Sequence, residues 1–213
     1  MPKVAPDIIY SDERLCPIID SHNSVYQLPL YKNEDYFINL ESYNAFVRAT
    51  ERLIRTNDRY KKYINHLKTK VGLNFCQVFP EITDDEANIE MHHGPILTLY
   101  DYVTITIEYF LYKKWKITTM SIANQVLSDH EDDIVQITML STSGHEQVTD
   151  GAIFLNYKQG YGDLSGYIRK YGKVLNDDII KKINSYIDRS LMYDSNDFDI
   201  FKLNDALLKY KVD

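Results

Sequence analysis

Cysteine is almost absent from this sequence. Only Cys16 and Cys76 occur among 213 residues, and they form no Cys-x-x-Cys pair. A zinc ribbon built on thiolates is therefore excluded, because such sites need closely spaced cysteine pairs. In a reducing cytosol we expect both thiols to be free, with Cys76 buried in a strand.

Long hydrophobic runs are also missing. No apolar segment approaches the roughly 20 residues that a helix needs to cross a bilayer, and the N-terminal residues lack the apolar core of a signal peptide. We therefore expect no membrane partner and a location in the cytoplasm of the cell that makes the protein.

Positive charge is in deficit overall but concentrated in one place. The net charge is −7, whereas a general nucleic-acid coat protein is normally basic. One run is nevertheless strongly basic and contains a single acid, Asp58. Its cations are Arg52, Arg55, Arg59, Lys61, Lys62, Lys68 and Lys70. The run is either the solvated face of a helix or a surface that binds the phosphate backbone of a nucleic acid such as DNA. In the second interpretation all of these cations except Lys70 take part.

Several familiar site motifs are absent. The glycines at 160, 162 and 166 are not followed by the Lys-Ser pair of a phosphate loop, and no Gly-x-Ser-x-Gly elbow occurs. The acids at 84–86 lack the spacing of a calcium-binding EF-hand loop.

Apolar periodicity predicts an α+β protein, a mostly helical single domain with a small β-sheet. An irregular, proline-containing arm is expected over residues 1–37, a core domain over 38–192 and a C-terminal helix packed on the core over 193–213. Strands are predicted at 73–79, 88–93, 134–140 and 152–156. Thr98 and Asp101 have the spacing of a capping box that opens a central helix.

The histidines supply the best candidate site. His92 and His93 end a predicted strand, and His145 lies in the first turns of a helix that follows another strand. With the two intervening helices set aside, this is the order of a ββα-metal nuclease unit with a helical insertion. A hairpin and a crossing helix can hold one divalent metal ion, Mg²⁺, Mn²⁺ or Zn²⁺, against an attacking water. In this interpretation His92 and His145 bind the metal, and His93 is the general base.

A structural interpretation competes with this one. Each histidine can instead be a partly buried polar residue that bonds to the backbone, and for any single histidine this is the simpler explanation. His130 precedes three acids and is most simply interpreted as a helix cap or a surface residue.

The stretches "IEMHHGP" and "TLYDY", followed by "STSGHEQVTDG" and "GYGDLSGYIRKYG", resemble a family of proteins from large tailed bacteriophages. The resemblance covers about residues 60–190 and implies a phage protein with an HNH-like pattern, made in the infected host cell. His92, His93 and His145 match that pattern. Thr149 replaces its second helix histidine, and Gln136 is the nearest counterpart of its catalytic carboxamide.

Two functional hypotheses follow. The first is an HNH-like metal-dependent endonuclease, or a decayed derivative that still binds nucleic acid. The alternative is a non-catalytic phage interaction protein that acts on a host or phage protein. It would be a host-takeover or defence-countering factor, or a component of a phage assembly. Abundant tyrosine fits the alternative, because tyrosine is favoured at protein interfaces.

Overall fold

The computed structural model describes residues 40–192, so the predicted arm at 1–37 and the predicted helix at 193–213 lie outside the described residues. Within this range the chain forms seven α-helices and one antiparallel sheet of two strands. The predicted α+β class, mostly helical with a small sheet, is confirmed. None of the described helices is long and apolar enough to cross a membrane.

Two consecutive helices begin the described chain. Helix α1 spans Leu40–Thr56 and helix α2 spans Asp58–His66. Between them, the Asn57 side chain caps α2 by accepting a hydrogen bond from the Arg59 amide. A π-helical turn, Leu67–Val71, extends α2 and ends at Gly72, whose φ of 86° is left-handed and therefore favours glycine.

The sheet pairs strand β1, Ile89–His93, with strand β2, Ile137–Ser141. The strands are antiparallel, with Ile89 opposite Ser141 and His93 opposite Ile137. Helix α5, Thr142–Thr149, follows β2 directly, and the Ser141 hydroxyl caps it by accepting from the Gly144 amide. The predicted order of strand, helical insertion, strand and helix is therefore present.

The insertion is a pair of helices, α3 over Leu99–Tyr112 and α4 over Thr119–Glu131. The Thr98–Asp101 capping box opens α3 as predicted, and Thr118 caps α4. Helix α3 is central because it is buried on most sides, as its largely apolar sequence predicts.

Two further helices complete the described chain, α6 over Leu164–Tyr171 and α7 over Asp177–Met192, with short 3₁₀ turns at Tyr157–Gln159 and Gly172–Val174. Three buried tyrosines pack α6 against α3. Tyr102 packs edge-to-face on Tyr167 with 4.9 Å between ring centroids, and Tyr167 lies 4.5 Å from Tyr171.

Two of the predicted strands are wrong. At 73–79 there is only a single bridge between Phe75 and Thr83. Beside β2, the Gln77 amide donates to the Met139 carbonyl. The Met139 amide donates in return to the Gln77 side-chain oxygen and not to a backbone carbonyl, so no regular ladder forms. At 152–156 the amides of Ala152 and Ile153 both donate to the Gln147 carbonyl, so they close α5 and do not form a strand ladder.

Candidate functional site

Strand β1 presents its residues to two different sides of the sheet. Successive side chains of a strand point to opposite faces. Accordingly, Ile89, Met91 and His93 are buried, whereas Glu90 and His92 are only half-buried. The adjacent histidines of the pair therefore belong to two separate environments.

The outer histidine cluster consists of Glu90, His92 and His145. The His145 ring lies edge-on to the His92 ring, with 4.7 Å between centroids. His145 Nδ1 donates to Glu90 Oε2 at 3.1 Å, which leaves its Nε2 pointing away from the carboxylate. Glu90 Oε1 also accepts from Asn88 and Thr142. The cluster is a hydrogen-bonded surface group that joins β1 to α5.

Burial sets the charge state of His92. It lowers the His92 pKa to about 4, with further lowering by the neighbouring His145 and by the positive charge of Arg55. His92 is therefore neutral at pH 7. Gly94 lies close to it, since a Cβ at Gly94 would approach His92 Nε2 to 2.9 Å.

The buried histidine pair consists of His93 and His130. Their Nε2 atoms are 2.9 Å apart, and the rings are nearly perpendicular at 84°. His130 is completely buried and His93 is 6% exposed. Tyrosines from two helices surround the pair. Tyr60 stacks on His93 and meets the edge of His130, Tyr63 contacts His130, and Tyr102 contacts His93.

Hydrogen bonding fixes the tautomers of this pair. His130 Nδ1 lies 2.7 Å from the Val126 carbonyl, which can only accept, so Nδ1 carries the proton. In the neutral ring the His130 Nε2 is then an acceptor, and His93 Nε2 donates to it. Burial lowers the His130 pKa to about 4 and holds the His93 pKa well below its usual value, the latter aided by the proximity of His130. The pair is therefore neutral at pH 7.

The predicted nuclease trio does not converge. His92 and His145 meet on the outer face, whereas His93 points inward and bonds to His130. Among residues 40–192, no group of three or more His, Cys, Asp or Glu side chains is placed to hold a metal ion. Thr149, at the position of the second helix histidine, is exposed and donates to the His145 carbonyl. This geometry does not favour the predicted roles of His92 and His145 as metal ligands or of His93 as a general base.

Gln136, the predicted catalytic carboxamide, is also directed elsewhere. Its side chain is buried, and Nε2 donates to the Tyr157 carbonyl at 2.8 Å. Gly160 leaves room for it, because a Cβ there would lie 2.7 Å from the Gln136 side chain. Gln136 thus holds the 157–160 turn against β2.

Comparison with known families gives a match over residues 16–212, to the family described as bacteriophage G278-like virion protein. The chain belongs to this family. No curated protein and no solved structure matches it. The phage origin expected from "IEMHHGP" and "TLYDY" is therefore confirmed. The HNH-like pattern expected for this virion-family protein is not confirmed.

The cations of the basic run in this virion-family protein differ in their exposure and in their ion pairs. Arg59 is engaged, because Nε and Nη2 bind the Glu131 carboxylate at 2.8 and 2.6 Å. Arg52, Arg55, Lys61 and Lys62 are exposed on α1 and α2, and Lys68 is half-buried in the π-helical turn. Nucleic-acid binding by these residues remains a prediction.

The prediction that His130 is a helix cap or a surface residue is wrong, because His130 is the buried partner of His93. The helical spacing indicates this burial. His130 follows Val126 by one turn and so continues the buried face of α4, which consists of Ile122, Ala123, Val126 and Leu127.

Proposed function

We propose that this protein is a structural component of the phage particle, made in the cytoplasm of the infected cell, that acts through contacts with other proteins. The observation that carries the proposal is membership of a virion protein family, with the match extending over residues 16–212. A host-takeover factor, by contrast, would act outside the particle.

The histidine geometry supports a non-catalytic role. A general base must reach the proton that it abstracts, and a metal must hold the attacking water beside it. His93 is buried against His130 on the opposite face of the strand from His92. Its hydrogen bond and its neutral state suit a packing role, as do those of His130.

The distribution of aromatic side chains also supports a contact role. Most of the tyrosines discussed above lie in the core, but Tyr112 and Trp115 are 52% and 49% exposed. Exposed large aromatic residues are enriched at protein interfaces, where they form rigid anchors.

Particle composition tests the proposal directly. Phage particles are purified from lysed infected bacteria through two successive density gradients, and the protein is detected with an antibody or by mass spectrometry. We expect it in the infectious band in a constant ratio to the major particle proteins. A phage replication protein that stays in the soluble fraction serves as the control. Recovery only in the soluble fraction would contradict the proposal.

A nicking assay tests the competing nuclease hypothesis. Wild type and His93→Ala are incubated with supercoiled plasmid and Mg²⁺, Mn²⁺ or Zn²⁺, with His66→Ala as a matched control at an exposed histidine. We expect no metal-dependent nicking by wild type. Metal-dependent nicking by wild type and His66→Ala that is lost in His93→Ala, with circular dichroism showing that His93→Ala is still folded, would support the nuclease hypothesis instead.

A further inference from the structure

The turn between α3 and α4 forms an exposed basic tip. The tip comprises residues 112–116, in which Lys113, Lys114 and Lys116 flank Tyr112 and Trp115. All five side chains are exposed. No acidic residue occurs from Tyr109 to Ser128, so the tip is a local positive surface on a protein of net charge −7.

The tip has a defined shape. The Trp115 ring packs edge-to-face on Phe110 and Tyr109, with centroids 5.2 and 5.8 Å apart. Lys113 Nζ lies over the Tyr109 and Tyr112 rings. The Trp115 and Lys114 amides donate to the carbonyls of Phe110 and Leu111. A partner therefore meets an anchor whose conformation is already fixed, which reduces the entropy lost on binding.

A surface of opposite charge precedes β1. We call residues 81–86 the acidic loop, since Glu81, Asp84, Asp85 and Glu86 are all exposed there. No lysine or arginine occurs from Val71 to Tyr112. Backbone bonds also fix the shape of this loop: the Cys76 amide donates to the Ile82 carbonyl, and the Asp84 amide donates to the Asn74 carbonyl.

These two surfaces do not neutralise each other within one chain. In the described part of the chain, no ion pair joins the lysines of the tip to the acids of the loop. Helix α3 has 14 residues, so the tip lies about 21 Å of helix beyond Leu99, where α3 begins on the sheet side of the molecule. Within residues 40–192, neither set of charges takes part in an ion pair.

We propose that the basic tip of one copy of this chain docks on the acidic loop of a second copy. The charges are complementary, and Trp115 supplies the apolar anchor. Because the two surfaces differ, the contact is head-to-tail, and repetition of such a contact builds a ring or a filament. The inference rests on the proposed role in the phage particle, where such repeated contacts would be used. A nucleic acid is the less suitable occupant of the tip, since the protein as a whole has a net charge of −7.

Charge reversal tests this pairing in the full-length chain. The tip-reversed variant carries Lys113→Glu, Lys114→Glu and Lys116→Glu, and the loop-reversed variant carries Asp84→Lys, Asp85→Lys and Glu86→Lys. Association is measured by sedimentation velocity over a range of protein concentrations at low and high salt. Circular dichroism and thermal melts check that each variant is folded, as expected for exposed sites.

We expect wild type to self-associate, and more weakly at high salt. Each reversed variant alone should associate at least about tenfold more weakly, since several exposed ion pairs are replaced by repulsion. An equimolar mixture of the two variants should recover association, because each reversed tip then meets an oppositely charged loop. Trp115→Ala should weaken association by about tenfold or more while leaving its salt dependence in place.

A matched control separates this pairing from a general effect of charge. Lys61→Glu, Lys62→Glu and Lys70→Glu change the net charge as much as the tip-reversed variant does, at exposed sites on another surface, and should leave association unchanged.

Three results would overturn the pairing: a monomeric wild type at low salt, unchanged association of the tip-reversed variant, or a monomeric mixture. Binding of an oligonucleotide that depends on the tip lysines, in a chain that does not self-associate, would assign the tip to nucleic acid instead. Cosedimentation with particles does not depend on these outcomes, so failure of the docking contact is distinguishable from failure of the proposed function.

Discussion

His93 and His130 face each other in the interior with their Nε2 atoms 2.9 Å apart, although 37 residues separate them in the sequence. The contact joins β1 to α4, and tyrosines of α2 and α3 surround it. A pair of neutral imidazoles thus occupies a position that an apolar pair would fill in most cores. One hydrogen bond joins the two Nε2 atoms, and a second joins His130 Nδ1 to the Val126 carbonyl.

Acid should destabilise the protein through this pair. The His130 pKa is lowered from 6.5 to about 4 by burial, so between these values the unfolded chain binds more protons than the folded chain. The stabilisation is complete above pH 6.5 and is lost as the pH falls towards 4. The loss is on the order of a few kcal/mol for the pair as a whole. Urea unfolding between pH 7.5 and 4.5 measures this loss.

The non-titrating variant His130→Gln is the control for this prediction. It should be less stable at pH 7 but show a shallower dependence of the unfolding free energy on pH. The same dependence on pH in wild type and variant would contradict the assignment.

Truncation should distinguish the buried pair from the outer cluster. His130→Ala leaves a cavity and an unpaired His93 N–H in the core, and we expect it to lower the free energy of unfolding by about 2–4 kcal/mol. His145→Ala removes a partly exposed side chain and should cost less than about 1 kcal/mol. Equilibrium denaturation of the two variants side by side checks the difference, and equal losses would disprove it.

A buried carboxylate should be the strongest single link between α4 and α6. Asp129 is 1% exposed, and it accepts hydrogen bonds from Lys170 at 2.6 Å, Tyr171 at 2.5 Å and Gln125 at 3.0 Å. Asp129→Ala leaves these donors unmatched, so we expect a loss of about 3–5 kcal/mol, measured by urea unfolding.

Glu131 is the matched control for Asp129, because it is an acid of the same helix that binds Arg59 at the surface. Glu131→Ala should cost no more than about 1 kcal/mol. A larger loss for Glu131→Ala than for Asp129→Ala would reverse the expected order.

The capping box of α3 should also contribute measurably. The Thr98 hydroxyl accepts from the Asp101 amide, and Asp101 Oδ2 accepts from the Thr98 amide at 2.7 Å. Thr98→Ala is expected to lower the midpoint of thermal unfolding, at a cost of about 1 kcal/mol. Thr98→Ser retains the hydroxyl and should restore most of the loss, whereas an equal loss in both variants would exclude capping as the cause.

Short sequence patterns predict those features that depend only on residues within about one helical turn of each other. The Thr98–Asp101 spacing predicted a cap because a capping box is made within one turn. The apolar spacing of α7 is typical of a helix, because its buried residues Ile183 and Ile187 are one turn apart. The strands expected at 73–79 and 152–156 do not form, because a strand needs a continuous ladder of bonds with a partner. The Gln77 amide donates to Met139 of β2, but the Met139 amide donates to the Gln77 side chain and the ladder ends there. The amides of Ala152 and Ile153 donate to Gln147 of α5.

The histidine site likewise depends partly on local sequence and partly on contacts between distant segments. The sequence by itself determined a phage protein with a helix-rich α+β fold, and it located His92 and His93 on a strand. The alternation of that strand already implied that the two rings point apart. Only the tertiary structure decided which buried group meets His93, because His130 reaches it once α4 packs against helices α1 and α3. Of the two adjacent histidines, His92 thus belongs to the outer cluster and His93 to the core. Their partners come from distant segments, and such contacts are set by packing and not by spacing along the chain.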